Sequence, residues 1–107
     1  MSAPVVQDLR ARPGVIRLAP PDAQAMAIRV EVPERWDVVR IDALPSTTVL
    51  SVKVAALEAL APRADAALWV IKLRGYEVLD EERSLADVGA TSGTTFLLTH
   101  RRRRPVR

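Results

Sequence analysis

Residues 28–32 read IRVEV, a strict alternation of apolar and charged side chains, and residues 38–44, VVRIDAL, resume it after the interruption PERWD. A period of two puts Ile28, Val30 and Val32 on one side of a strand and Arg29 and Glu31 on the other. Each stretch therefore predicts a half-buried β-strand, and the two together a hairpin that Pro45 closes. Directly afterwards the period changes. In residues 46–62, STTVLSVKVAALEALAP, Val49, Val52, Ala56 and Leu60 share one face of a helix at about 100° per residue, with Leu50 and Leu57 on its shoulder. Thr47 or Thr48 can cap that helix by accepting a bond from a free N–H of its first turn, and Pro62 stops it. Lys53 falls in the middle of the apolar face, where a lysine must extend its stem to water or find a carboxylate, because an unpaired buried charge is costly.

The rest of the chain is shorter in period. ALWVIKLRGYEVLD (67–80) predicts a strand, a turn at Gly75 and Tyr76, and a short strand. EERSLADVGATSG (81–93) is a polar connection anchored by Leu85 and Val88, and TTFLLTH (94–100) is a last strand. Residues 1–24 hold Pro4, Pro13, Pro20 and Pro21, and prolines remove backbone donors. This segment predicts a flexible arm, with VIRL (15–18) as a possible short strand. The expected order is β, β, α, β, short β, loop, β.

Function classes narrow on composition. Without cysteine there is no disulfide, thiolate metal site or cysteine nucleophile, and one histidine, His100, builds no metal site alone. No HExxH, GxSxG or P-loop spacing occurs, so no catalytic residue, metal or cofactor is expected. No apolar run reaches the roughly 18 to 20 residues that span a bilayer, and the first residues do not read as a signal peptide; a cytoplasmic location is the expectation. The net charge of +3 suggests nucleic acid only until its distribution is read: residues 101–107 hold five arginines and no acid, while residues 1–100 carry a net −2. Five arginines without an interleaved aromatic make nucleic-acid or lipid contact weak and salt-sensitive.

The element order, one long helix after the first hairpin and a final strand running into a C-terminal tail, resembles the ubiquitin-like β-grasp superfamily. VLDEERSLADVGATSGTTFLLTHRRRR (78–104) is similar to the second half of such a domain, and STTVLSVKVAALEAL (46–60) is similar to its helix. The resemblance implies an α+β roll, a mixed sheet of four to five strands on one main helix, over residues 25–100, between the arm at 1–24 and a basic tail at 101–107. It gives Lys53 a partner, Glu81, with Asp80 adjacent. The bottom-up alternative, Lys53 reaching water, stays open.

The resemblance further implies a non-enzymatic protein that works by protein–protein recognition. The contact face would lie beside the last strand, with Leu97 and Thr99 outward and Phe96 and Leu98 inward. On the neighbouring strand Val70, Lys72 and Arg74 face out if Ile71 and Leu73 are core; the opposite register exposes Leu73. The first choice gives a patch more basic than ubiquitin's. Trp36, at the tip of the first hairpin, either anchors a partner or folds back onto its own core, as Trp69 is expected to do.

The tail departs from the family. Aligned without gaps, the two terminal glycines of ubiquitin would fall on Arg104 and Pro105, and residues 94–107 hold no glycine, which puts conjugation through a glycine end in doubt. His100, Arg101, Arg102, Arg103 and Arg104 then read as a solvated terminus, a handle for an acidic partner, or a processing site. Two classes remain: a bacterial-type β-grasp adaptor or accessory subunit, and a precursor whose tail a protease trims before activating and conjugating enzymes use it. Lys53 and Lys72 are the only lysines.

Overall fold

The computed structural model describes residues 14–101. Its elements are β1 (Val15–Arg17), β2 (Met26–Val32), β3 (Asp37–Ala43), the helix α1 (Val49–Leu60), β4 (Trp69–Leu73), β5 (Tyr76–Glu77) and β6 (Thr95–His100), with short 3₁₀ turns at Pro33–Arg35 and Ala66–Leu68. The strands form one mixed sheet in the order β1-β3-β2-β6-β4-β5. At its centre β2 and β6 run parallel, so both end beside the β2–β3 tip.

The sheet has six strands rather than four to five, because VIR joins it as β1, parallel to β3, with Ile16 opposite Ile41. This part of the expected arm is ordered, and the reason is local. The Arg17 guanidinium donates to the carbonyls of Pro20 and Ala23 at 2.7 and 2.8 Å, which closes the proline-rich turn onto the strand. Residues 1–13 and 102–107 lie outside the described residues, and with them most of the arm and tail.

The β2–β3 register pairs Ile28 with Ile41 and Val30 with Val39, so the two alternations bury the same side. Their connection is the Pro33–Arg35 turn followed by Trp36 at φ 58°, in the left-handed region. Thr48 is the helix cap: its hydroxyl oxygen accepts the Ser51 N–H at 3.1 Å. Thr47 instead accepts the Leu44 N–H at 3.0 Å, outside the helix. The next free donors of the first turn, the N–H groups of Val49 and Leu50, bond the carbonyls of Arg83 and Glu81 at 2.9 and 2.7 Å. The polar connection is thus tied to the helix start by the unsatisfied donors every helix carries there.

Val49, Val52, Ala56 and Leu57 of α1 pack on Phe96 and Leu98 of β6, on Ile71 and Leu73 of β4, and on the inner residues of the first hairpin, with Leu85 inserted from the connection. Leu50 turns out to be exposed, since the helix meets only one layer. Each fully buried side chain of this size contributes roughly 1.5–3 kcal/mol. Burial of Ile71 and Leu73 fixes the β4 register in the first of the two expected ways.

Candidate functional site

The sheet face turned away from α1 is open, and strand registers define what it carries. One row crosses five strands: Val38 lies opposite Glu31, Glu31 opposite Leu97, Leu97 opposite Lys72 and Lys72 opposite Glu77. Leu97, Thr99 and Lys72 are half-buried, and Thr99 lies opposite Val70. Glu31 and Glu77 bracket the Leu97–Lys72 centre, so the patch is of mixed sign rather than basic. Glu77 also pairs with Arg101 at 2.9 Å, which draws the start of the tail onto this face.

Two expected members of the patch stand differently. Val70 points to this face but is only 6% exposed, so its neighbours leave a partner little of it to touch. Arg74 is not on a strand at all. It forms, with Gly75, a two-residue turn in which both φ are positive, 53° and 86°, the geometry that matches the twist of a tight hairpin. Its guanidinium donates to the Gly89 carbonyl at 3.2 Å, on the connection before β6. The turn thus lies at Arg74 and Gly75, one residue earlier than the sequence pattern suggested.

Trp36 is 93% exposed and does not fold back on the core, whereas Trp69 is buried against it. A left-handed backbone costs a non-glycine residue roughly 1–2 kcal/mol, so this position holds a large apolar side chain in water and in an unfavourable backbone at once. It sits at the sheet end where β6 finishes: the His100 N–H donates to Glu34 Oε1 at 3.4 Å, binding the hairpin tip to the last strand.

The tail leaves from the same end. The Arg101 N–H donates to the Leu68 carbonyl at 2.6 Å, the last described backbone bond, and His100 stacks edge-on against Trp69 with ring centroids 5.3 Å apart. Arg102, Arg103 and Arg104 lie outside the described residues.

Inside, the Lys53 ammonium donates to Glu81 Oε2 at 2.8 Å and Oε1 at 3.1 Å. The lysine side chain is 4% exposed and the glutamate side chain 20%. Asp80 is engaged elsewhere, accepting the Glu82 N–H at 3.2 Å within the turn. Sequence reasoning did not single out Tyr76 and Leu79, which are both well exposed near the β5 edge, nor Arg35, Arg63 and Leu68 at the tip end. These residues sit in short turns or, for Tyr76, in a two-residue strand, where no hydrophobic period exists to reveal a face. Among the described residues no three His, Cys, Asp or Glu side chains gather as a metal-binding group, and no helix is long and apolar enough to cross a membrane.

No protein-family model matches the chain, and no curated protein matches it. Solved structures do. The chain is similar to the ubiquitin-like domain of an Arabidopsis thaliana protein solved by solution NMR, with a TM-score of 0.63 and 14% identity, over 84% of this chain and 92% of that one. It is similar to a Caldiarchaeum subterraneum ubiquitin, at TM-score 0.64 and 18% identity, over 78% of this chain and 98% of that one. The ubiquitin-like domain of Plasmodium falciparum Dsk2 gives TM-score 0.62 and 21% identity, over 72% of this chain and 99% of that one. The chain has the ubiquitin-like β-grasp fold.

Proposed function

We propose that this chain acts as a non-enzymatic ubiquitin-like protein that recognises other proteins without covalent linkage, as an adaptor or accessory component. The observation that carries the reading is Trp36, a solvated tryptophan held in a strained backbone at the tip of the first hairpin. Strain at an exposed position is a pointer to a contact, and large aromatics dominate the energy of protein interfaces. Trp36 and the Leu97–Lys72–Thr99 face adjoin at one end of the sheet, because β2 and β6 run parallel toward it. A partner gripping both would bury an aromatic anchor beside a leucine flanked by charges of either sign, a common composition for an interface core and its rim.

The second reading, a trimmed protein modifier, is favoured by one feature: the arginine run begins where the last described sheet bond ends, at Arg101. Against it, residues 94–107 hold no glycine, and a glycine end suits a narrow catalytic channel.

Site-specific photo-crosslinking tests the proposal. A crosslinking amino acid at position 36 or 97, in the native host, is expected to trap the same partner protein from both sites. The same label at Glu58, on the exposed side of α1, is expected to trap none of it. Equal yields from all three positions would remove the recognition face.

A further inference from the structure

On the helix side of the sheet, opposite the face just described, a groove of about 600 Å³ opens between the end of α1, the Ala66–Leu68 turn and the end of β6. This volume lies within the range of roughly 300–1,000 Å³ typical of ligand pockets. Arg35 and Arg63 stand on its walls, Leu68 and Trp69 supply apolar surface, and Asp65 and His100 also line it.

The charges in and around the groove are unequally satisfied. Asp65 accepts the Ala67 N–H at 3.0 Å, Glu34 accepts the His100 N–H, and Asp37 lies 3.8 Å from Arg35. Among the described residues, neither the Arg63 guanidinium nor the Trp69 indole N–H meets a hydrogen-bond acceptor. Donors in a groove without acceptors favour an occupant that brings its own, and charge-assisted bonds to carboxylates are the stronger kind. The chain also leaves the sheet here: Arg101 is bonded to Leu68, and the sequence continues with Arg102, Arg103 and Arg104.

We infer that this groove docks an acidic peptide segment of a partner protein, with carboxylates on Arg63 and Arg35 and one apolar side chain over Leu68. The inference goes beyond the proposed recognition face, because it concerns the opposite side of the sheet.

The test is an amide and indole chemical-shift titration of the full chain with a short synthetic peptide of Asp and Glu around a central leucine. A peptide with Lys in place of each acid and a single-stranded oligonucleotide serve as comparisons. The expected result is saturable shifts at residues 61–69, at His100 and at the Trp69 indole N–H, produced by the acidic peptide alone. Arg63 is exposed and unbonded among the described residues, so Arg63→Glu should fold normally and weaken binding at least about tenfold. Leu68→Ser should also weaken it.

Shifts confined to residues 101–107, an Arg63→Glu affinity equal to the parent's, or no binding at millimolar peptide would each overturn the inference. So would tighter binding of the oligonucleotide at the same residues, which would make the groove a nucleic-acid contact. The crosslinking from positions 36 and 97 is independent of all four outcomes, so the two surfaces stand or fall separately.

Discussion

Glu81→Ala should be far more damaging than Lys53→Met, although both remove the same ion pair. The Lys53 side chain keeps 4% of its exposure, and among the described residues its ammonium has only Glu81 within bonding distance, at 2.8 and 3.1 Å. Removing the carboxylate strands a cation among Val49, Val52, Ala56 and Leu57, and breaking a buried pair from one side costs about 3–5 kcal/mol. Glu81 lies nearer the surface, with 20% side-chain exposure, so water can reach the site and the low end, about 3 kcal/mol, is expected. In Lys53→Met the thioether fills the same volume and the freed carboxylate turns to water, so the loss should stay within about 1 kcal/mol or become a small gain. A domain of this size loses about 4–8 °C per kcal/mol, so Glu81→Ala should melt roughly 12–24 °C lower and Lys53→Met within a few degrees of the parent. The double substitution should recover most of the Glu81→Ala loss. Thermal melts followed by far-UV circular dichroism decide it. Equal losses in the two single variants, or a double variant no better than Glu81→Ala, would refute the reasoning.

Other substitutions test the local arguments. Trp36→Gly relieves a left-handed backbone cost of roughly 1–2 kcal/mol against an unfolded-state penalty of about 0.5–1, so denaturation should show a neutral to slightly stabilised protein. A clear loss would mean that the indole packs on something. Leu85→Ala opens a cavity where the connection enters the core and should cost about 2–5 kcal/mol in urea unfolding, whereas Leu79→Ala, at an exposed position, should change little. Thr48→Ala removes the cap bond to Ser51 and should cost about 1 kcal/mol, with Thr47→Ala leaving helix content unchanged. Acrylamide should quench Trp36 strongly and Trp69 weakly, and Trp36→Phe should abolish the strongly quenched component.

The sequence made the fold legible where one residue period persisted. Ile28, Val30 and Val32 alternate for a whole strand, Val49 to Leu60 repeat at helical spacing, and both patterns survive because each element buries a single side. Lys53 was legible only in part: its place on an apolar face left open whether it reaches water or a carboxylate, and Glu81 came from the family resemblance, while in the structure the turn holding Glu81 is fixed to the helix start by backbone bonds. Legibility failed at short elements. The Arg74 and Gly75 turn was misplaced by one residue because an arginine in the left-handed region leaves no compositional mark. The burial of Val70 was hidden too, since it depends on neighbours across the sheet rather than along the strand. The acidic members of the outer row, Glu31 and Glu77, come from strands far apart in sequence, and only register brings them to Lys72 and Leu97. The groove around Arg63 and Leu68 is built wholly from turns and strand ends, and a periodicity reading has nothing to grip there.

Recognition without covalent linkage leaves the mass of the chain unchanged in its host. Intact mass and immunoblotting of an N-terminally tagged copy in its native host test this most directly. A single species retaining residues 101–107 is expected, with no ladder of heavier adducts, and partners that survive crosslinking but are lost in high salt. A species trimmed within the arginine run, together with a ladder of covalent protein adducts, would contradict it and establish the trimmed-modifier reading.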